Sequence, residues 1–313
     1  MRYLSGAARK GTVRGMRLIS QTTVMRPASV EGVGLHSGVH ARATLRPAGA
    51  GQGVVFRRRV SGDGPAREIA ALPDAVSNTH FNTGVGDAET RIATVEHLMA
   101  AIALAGIDNL VVDVDGPELP ALDGSAALYL QALVEAGVRD LPAPRELIRI
   151  LAPIEIVEGD GRSIRAEPHE GRIIDVSIEF PDAAIGAQRA VVDLDNPADV
   201  RRVAAARTFC RRADIDRLRA LGLSLGGSLD NAIVVDGAAI LNPAGLRDPQ
   251  EFALHKALDL IGDLRLAGAP IIGRVVANRP GHDLNARFLA ALSAGGNAVA
   301  RGSEDAVKRR ASA

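Results

Sequence analysis

The sequence predicts an α+β fold made of two similar halves that pack face to face. Leu104-Ala105-Gly106 before the apolar run 110–114 is similar to Leu266-Ala267-Gly268 before the apolar run 271–276. In both places a helix is expected to end at a glycine and a short turn to lead into a strand. Pro142-Ala143-Pro144 lies between the two copies, where two prolines disfavour continuous secondary structure. A chain of 313 residues is long enough for two domains of ordinary size.

These features set the predicted domain boundaries. We expect a first domain over 17–141, a linker over 142–147, a second domain over 148–295 and a flexible tail over 296–313. Residues 1–16 are basic and contain no acidic residue, and they lack the continuous apolar segment of a secretory signal. An organellar targeting peptide shares this composition, but we favour a flexible extension or a misassigned start.

The composition excludes several classes of function. The formal net charge is zero, so nothing indicates a nucleic-acid partner. No stretch reaches the roughly 18 apolar residues of a membrane span. The only cysteine, Cys210, excludes an intrachain disulfide and suits a reducing compartment. We therefore expect a cytoplasmic enzyme, and a monomer.

A predicted helix over residues 252–263 carries a column of polar side chains. His255, Asp259 and Asp263 recur at i, i+4 and i+8, and they share one face at about 3.6 residues per turn. Apolar residues occupy a neighbouring face, so the polar column is expected to face outward. An imidazole and a carboxylate one turn apart can hold a divalent metal, although a hydrogen-bonded surface pair is commoner.

A second predicted helix begins near residue 94 and places a carboxylate beside a third possible ligand. Thr94 is a suitable N-cap, and apolar residues follow at helical spacing. A hydrolytic metal site needs three protein ligands, an open position and a base. His97 with His255 and Asp259 would supply the ligands, and Glu96 the base. An acidic first turn without a catalytic role is the simpler interpretation of Glu96-His97 alone.

A third segment offers a proton donor. The apolar run 271–277 is typical of a buried strand, and Pro280-Gly281 ends it. His282 would then lie exposed on the turn. A histidine can act as a general acid because its pKa lies near physiological pH.

In order and spacing, these segments resemble one family, the UDP-3-O-acyl-N-acetylglucosamine deacetylase of lipid A biosynthesis. The resemblance extends from about Arg17 to about Ala291. The segments that carry it are Gly32-Val33-Gly34-Leu35-His36-Ser37-Gly38, Thr94-Val95-Glu96-His97-Leu98, Gly116-Pro117-Glu118-Leu119-Pro120-Ala121-Leu122-Asp123-Gly124-Ser125, Ala206-Arg207-Thr208-Phe209, Leu225-Gly226-Gly227-Ser228, His255-Lys256-x-x-Asp259 with Asp263, and Gly281-His282.

The resemblance implies zinc-dependent hydrolysis of the N-acetyl group of an acylated UDP-amino-sugar, with release of acetate. It implies one zinc ion per chain, and iron(II) would accept the same ligands. The roles it implies are metal ligation by His97, His255 and Asp259, activation of the metal-bound water by Glu96, protonation of the leaving amine by His282, orientation of His282 by Asp263, oxyanion stabilisation by Thr208, and substrate contacts by Lys256, Phe209, Arg162 and Arg279.

The resemblance also implies details of the architecture. Each half would be an α/β sandwich with a small insertion. The internal repeat itself predicts that two halves meeting face to face bring His97 close to His255 and Asp259, so the active site would lie at the domain interface. The second insertion, a βαβ element over about 209–235, would form a channel for the acyl chain. The segment 79–86 departs from the usual apolar pattern near the pocket mouth, so its contacts with substrate are left open.

Two other functions stay open from the sequence. The first is a metal-dependent deacetylase of another N-acyl sugar or amide. The second is a non-catalytic protein that binds a nucleotide sugar. The second is disfavoured because a decayed site tends to lose its base or acid first, and both Glu96 and His282 are present.

Overall fold

The computed structural model describes residues 11–13, 16–59 and 65–311. It confirms a mixed α+β class. Most of the expected extension over 1–16 lies outside the described residues. Its residues 11–13 pair antiparallel with residues 16–18.

Strands make up most of the regular structure. They are β1 Gly11–Val13, β2 Met16–Leu18, β3 Ser20–Val24, β4 Ala28–Val33, β5 His40–Pro47, β6 Val54–Arg58, β7 Arg67–Ala70, β8 Val76–Asn78, β9 Gly84–Val85, β10 Leu110–Val114, β11 Val138–Pro144, β12 Glu146–Ile150, β13 Ile154–Val157, β14 Ser163–Glu167, β15 Arg172–Glu179, β16 Ala187–Asp193, β17 Phe209–Arg211, β18 Ile233–Asp236, β19 Ala239–Ile240, β20 Ile271–Asn278 and β21 Val299–Ser303. The helices are α1 Glu96–Ala105, α2 Ala127–Ala136, α3 Pro197–Ala204, α4 Arg212–Ala220, α5 Glu251–Arg265, α6 His282–Ser293 and α7 Glu304–Ala311, with short 3-10 turns at Pro73–Ala75 and Gly296–Ala298.

Two larger sheets form the framework. The first has the order β4-β5-β10-β6-β7, and its central strand β10 is antiparallel to β5 and parallel to β6. In the second, β20 is antiparallel to β14 and parallel to β15, and the outer strands β13 and β16 are antiparallel to their neighbours. Strand β12 pairs in parallel with the start of β20 and antiparallel with β21. The strand predicted at 271–277 is confirmed as β20.

Helices α1 and α5 pack against each other, and α5 also contacts β15 and β16. Gly262 permits this close approach, because a Cβ atom there would overlap the carbonyl oxygen of Glu96. The expectation that the polar column of α5 faces outward is therefore wrong. His255, Asp259 and Asp263 are all buried, since α1 covers the face that carries them.

Two smaller units extend this framework. Strands β8 and β9 form a two-stranded sheet ahead of α1. Further along, β17 and β18 pair in parallel and α4 connects them, so residues 209–236 form a βαβ unit. No helix within the described part of the chain is both long enough and apolar enough to cross a bilayer.

The predicted linker and tail both contain regular secondary structure. In the segment expected to be a linker, Pro142 and Pro144 lie in β11, which pairs with β3 with a register shift before Pro144. Prolines are tolerated there because the irregular pairing needs no regular ladder of N–H donors. The tail expected to be flexible forms β21 and α7 over most of its length. Strand β21 extends the second sheet, and Val307 of α7 is buried.

Candidate active site

Helices α1 and α5 bring three possible metal ligands together. One ligand atom each from His97, His255 and Asp259 can be chosen so that all lie within 4.8 Å of one another. The Oδ1 atom of Asp259 lies 3.3 Å from Nε2 of His255 and 3.8 Å from Nε2 of His97. A separation of more than 150 positions along the chain is thus closed by packing of the two helices.

The protonation of this cluster suits a cation. Burial, with a smaller effect of His255, lowers the pKa of His97 to about 3, and burial also lowers the pKa of His255. Nδ1 of His255 lies 3.1 Å from the carbonyl oxygen of Ala206 and donates to it. The free lone pair of the neutral ring is therefore on Nε2, which faces Asp259. Two neutral imidazoles and a carboxylate are a donor set that fits zinc or a similar divalent metal.

A buried ion pair holds the Ala206 carbonyl in place. The Arg207 guanidinium donates to Glu251 at 2.8 and 3.1 Å, and its backbone N–H donates to the same carboxylate at 3.1 Å. Glu251 opens α5, one turn before His255. The ion pair therefore attaches the segment at Ala206, whose carbonyl orients His255, to helix α5, which carries His255.

Replacing Glu251 by glutamine is expected to lower the free energy of unfolding by about 3–5 kcal/mol, because it leaves the Arg207 charge buried without its counter-ion. Arg207 is only 6% exposed and Glu251 is fully buried. Urea unfolding followed by circular dichroism measures the change. Arg202→Gln is the control, since it breaks the more exposed pair with Asp248 and should cost no more than about 1 kcal/mol. Equal losses in both variants would contradict the prediction.

Glu96 lies at the start of α1 beside the ligand cluster. Burial, followed by the negative charges of Asp263 and Asp259, raises the pKa of Glu96 to about 8, although His282 opposes the shift. The backbone N–H of Thr83 donates to Oε2 of Glu96 at 3.1 Å. A carboxyl group whose pKa lies near physiological pH can take up a proton and release it again.

His282 forms a pair with Asp263, with Nδ1 at 2.9 Å from Oδ2. The expectation that His282 is exposed on a turn is wrong: it is the first residue of α6 and is buried. Burial alone would lower the pKa of His282, but Asp263, through its charge and hydrogen bond, and Glu96 together raise it to about 9. The imidazole is therefore held in its protonated, donating form.

Thr208, Phe209 and Lys256 line the same region. Thr208 borders the cavity that contains the ligand cluster. The Nζ atom of Lys256 lies 2.8 Å from Oδ2 of Asp259 and 5.6 Å from the centre of the Phe209 ring. All three border the cavity that contains the ligand cluster.

Arg162 and Arg279 lie farther from the ligand cluster, directly before β14 and directly after β20. Arg162 contacts Asp160 at 2.9 Å and Asp283 at 3.4 Å, and Asp283 borders the cavity. Arg279 donates to the backbone carbonyl of Asp160 and adopts a positive φ of 50°. Neither is among the residues that border the cavity, so the structure does not bring them to the ligand cluster.

The site lies in a polar cavity of about 520 Å³ that contains Glu96, the ligand cluster and His282. A second cavity of about 430 Å³ shares Thr208 and Phe209 with it and is bordered by the βαβ unit. The apolar lining comes mainly from Ile215, Leu218, Leu229, Ala232, Val234 and Leu241.

Sequence reasoning missed several buried polar groups around the site. Glu118 accepts from the backbone N–H groups of His36 and Ser37 and from the Thr94 hydroxyl. Thr94 is therefore not an N-cap; it has a φ of 58° and its hydroxyl faces Glu118. Nothing in the local pattern distinguishes such residues from surface polar ones, because only tertiary packing buries them.

Similarity to known proteins identifies the family. The family model described as UDP-3-O-acyl N-acetylglycosamine deacetylase matches residues 21–294. The chain belongs to this family. The resemblance found in the sequence motifs is thereby confirmed.

Curated members of the deacetylase family are similar over nearly the whole chain. The UDP-3-O-acyl-N-acetylglucosamine deacetylase of Phenylobacterium zucineum (strain HLK1) is 46% identical over 276 residues, which cover 88% of this chain and 93% of the relative. The protein of the same description from Anaeromyxobacter sp. (strain Fw109-5) is 47% identical over 267 residues, covering 85% of this chain and 86% of the relative.

Proposed function

We propose that this chain hydrolyses the N-acetyl group of UDP-3-O-acyl-N-acetylglucosamine, releasing acetate and UDP-3-O-acyl-glucosamine in lipid A biosynthesis. Membership of the deacetylase family makes it a hydrolase that acts on an amide. One observation supports the mechanism: the buried Glu96 carboxyl group, the His97–His255–Asp259 cluster and His282 border a single cavity.

The proposed metal would be held by His97, His255 and Asp259, one ion per chain. A zinc ion there would lower the pKa of water to about 7 and polarise a carbonyl group. Zinc fits two imidazoles and a carboxylate, and iron(II) would accept the same ligands.

The residues of the chain divide the proton transfers between them. Glu96 takes a proton from the attacking water as the water oxygen bonds to the acetyl carbon. The hydroxyl of Thr208 stabilises the negative charge that develops on the carbonyl oxygen. His282, held by Asp263, gives its proton to the amide nitrogen as the C–N bond breaks. The products are acetate and a free amine, and a positioned acid or base of this kind typically contributes about 10²–10⁴-fold.

The remaining predicted residues are proposed to bind substrate. Lys256 and Phe209 border the polar cavity, and we propose that they contact the sugar. The second cavity, at the βαβ unit, is proposed to take the 3-O-acyl chain, since Ile215, Leu218, Leu229, Val234 and Leu241 give it an apolar side. Arg162 and Arg279 are proposed to meet the UDP portion at the rim.

Activity is expected to follow a bell-shaped dependence on pH. Glu96 acts only when deprotonated, so activity rises with pH through its pKa of about 8, or lower when a cation stabilises the carboxylate. His282 acts only when protonated, so activity falls as pH rises through about 9. Initial rates of acetate release from about pH 5 to about pH 10 measure both limbs. His282→Gln should remove the alkaline limb, and a profile with a single limb in the unmodified protein would contradict the assignment.

The direct test of the function is acetate release from the acylated UDP-amino-sugar by purified, metal-loaded protein. UDP-N-acetylglucosamine without the 3-O-acyl chain is the matched control substrate. Faster turnover of the acylated compound is expected. Equal turnover of both would indicate a different N-acyl substrate, and binding of the acylated compound without turnover would indicate a non-catalytic protein.

The proposal includes a duplicated fold with the site between its halves. The order β4-β5-β10-β6-β7 has the same strand directions as β13-β14-β20-β15-β16. In each half a helix precedes the central strand and a glycine of positive φ, Gly106 or Gly268, lies between them. These correspondences support two domains, over 17–141 and 148–295. A monomer in the cytoplasm stays a prediction from the sequence.

A further inference from the structure

Thr83 is in contact with both proton-transfer groups. Its backbone N–H donates to Oε2 of Glu96 at 3.1 Å, and its hydroxyl donates to Oδ1 of Asp263 at 2.6 Å. The hydroxyl oxygen of Thr83 also lies 3.1 Å from Nδ1 of His282. A hydroxyl can donate one hydrogen bond and accept others, so both side-chain contacts can form at once.

Three hydrogen bonds hold the Asp263 carboxylate. Its Oδ1 accepts from Thr83, while Oδ2 accepts from Nδ1 of His282 at 2.9 Å and from Nδ2 of Asn285 at 2.8 Å. Because donors hold both oxygens, rotation of the carboxylate away from His282 would break these hydrogen bonds. Nδ1 of His282 is thereby committed to Asp263 and Thr83, and Nε2 is the nitrogen left to face the cavity.

The backbone of Thr83 is itself anchored to α1. Its carbonyl oxygen accepts from the N–H of Val95 at 3.0 Å, directly before Glu96. Thr83 is thus bonded to the start of α1 through its main chain and to residues of α5 and α6 through its side chain. Fixing the base relative to the acid matters, because a misplacement of about 1 Å can reduce turnover about 10²-fold.

We propose that Thr83 is a positioning residue whose hydroxyl keeps the Asp263–His282 pair in a fixed position relative to Glu96. The inference rests on the proposed function. Thr83 is 2% exposed and is not among the residues that border the cavity, unlike its neighbours Thr79, His80 and Phe81. It acts through Asp263 and His282, not on the substrate, so its loss should change kcat and leave KM nearly unchanged.

The test compares Thr83→Val with Thr83→Ser in the metal-loaded full chain. Valine keeps the shape and the backbone contact to Glu96 but removes the hydroxyl, whereas serine retains it. We expect Thr83→Val to lower kcat about 10–100-fold with KM within about threefold, and Thr83→Ser to restore most of the rate.

Thr90→Val is the matched control. Thr90 is also 2% exposed and its hydroxyl donates to a carboxylate, that of Asp87, at 2.7 Å, but it does not contact Glu96, Asp263 or His282. We expect Thr90→Val to keep the kcat of the unmodified protein. The same loss in Thr90→Val as in Thr83→Val would overturn the inference, because it would reflect a general cost of removing a buried hydroxyl.

Two further results would also overturn the inference: a kcat of Thr83→Val within about threefold of the unmodified protein, or an equal loss in the serine variant. Should the unmodified protein itself release no acetate, the proposed function fails. The inference then fails with it unless ¹⁵N NMR shows that the Nδ1 proton of His282 loses protection from exchange in Thr83→Val and not in Thr83→Ser.

Discussion

Replacing His97 by alanine is expected to remove the bound metal and to reduce kcat at least about 10³-fold. The site supplies three protein ligands, and a hydrolytic metal centre of this type depends on all three. Lewis-acid stabilisation is worth several kcal/mol, and about 4 kcal/mol corresponds to roughly a thousandfold in rate. Plasma mass spectrometry of the purified protein measures the metal, and acetate release measures the rate.

The control for this change is His40→Ala, which truncates an exposed histidine on β5 outside the cavity. It should keep both metal and activity. A His97→Ala protein that retains one tightly bound ion per chain and normal turnover would show that the ligand cluster is not the metal site.

Replacing Glu96 by glutamine is expected to lower kcat about 10²–10⁴-fold while the metal stays bound. Glutamine has nearly the same shape and its oxygen can still accept from the Thr83 N–H, but it cannot take up a proton. Because the change removes a transition-state interaction and no substrate contact is assigned to Glu96, KM should change little. Steady-state kinetics with metal analysis of the same sample separates these quantities.

Glu89→Gln serves as the control for the loss of a carboxylate. Glu89 is exposed and pairs with Arg67 at 3.1 Å, outside the cavity. Activity of this variant should match that of the unmodified protein. If Glu96→Gln lost its metal together with its activity, Glu96 would be assigned to metal binding and not to proton transfer.

Much of the site could be predicted from local sequence. The spacing of His255, Asp259 and Asp263 predicts one helix face, and apolar periodicity predicts the helix that follows Thr94. Helices α5 and α1 form there because these local preferences are not opposed by packing. Ligand chemistry suggested joining His97 with His255 and Asp259, and the resemblance supported it, but residues so far apart in sequence have no local relation that shows they meet.

Burial was the property that local sequence did not reveal. His282 was expected on an exposed turn, but α6 begins at this residue and Asp263 holds its ring inside the protein. The contacts of Thr83 and Asn285 were missed for the same reason, because threonine and asparagine are ordinary loop and surface residues by composition. Their contacts become visible only when α5 and α6 meet the loop before α1.

By itself, the sequence determined which side chains could do the chemistry and which of them share a helix face, because helical periodicity is a local property. Only the tertiary structure decided that α1 and α5 approach closely at Gly262, and that a single threonine contacts both the base and the partner of the acid. The physical reason is that contacts between distant segments depend on the packing of whole helices and sheets, which pairwise spacing along the chain does not encode.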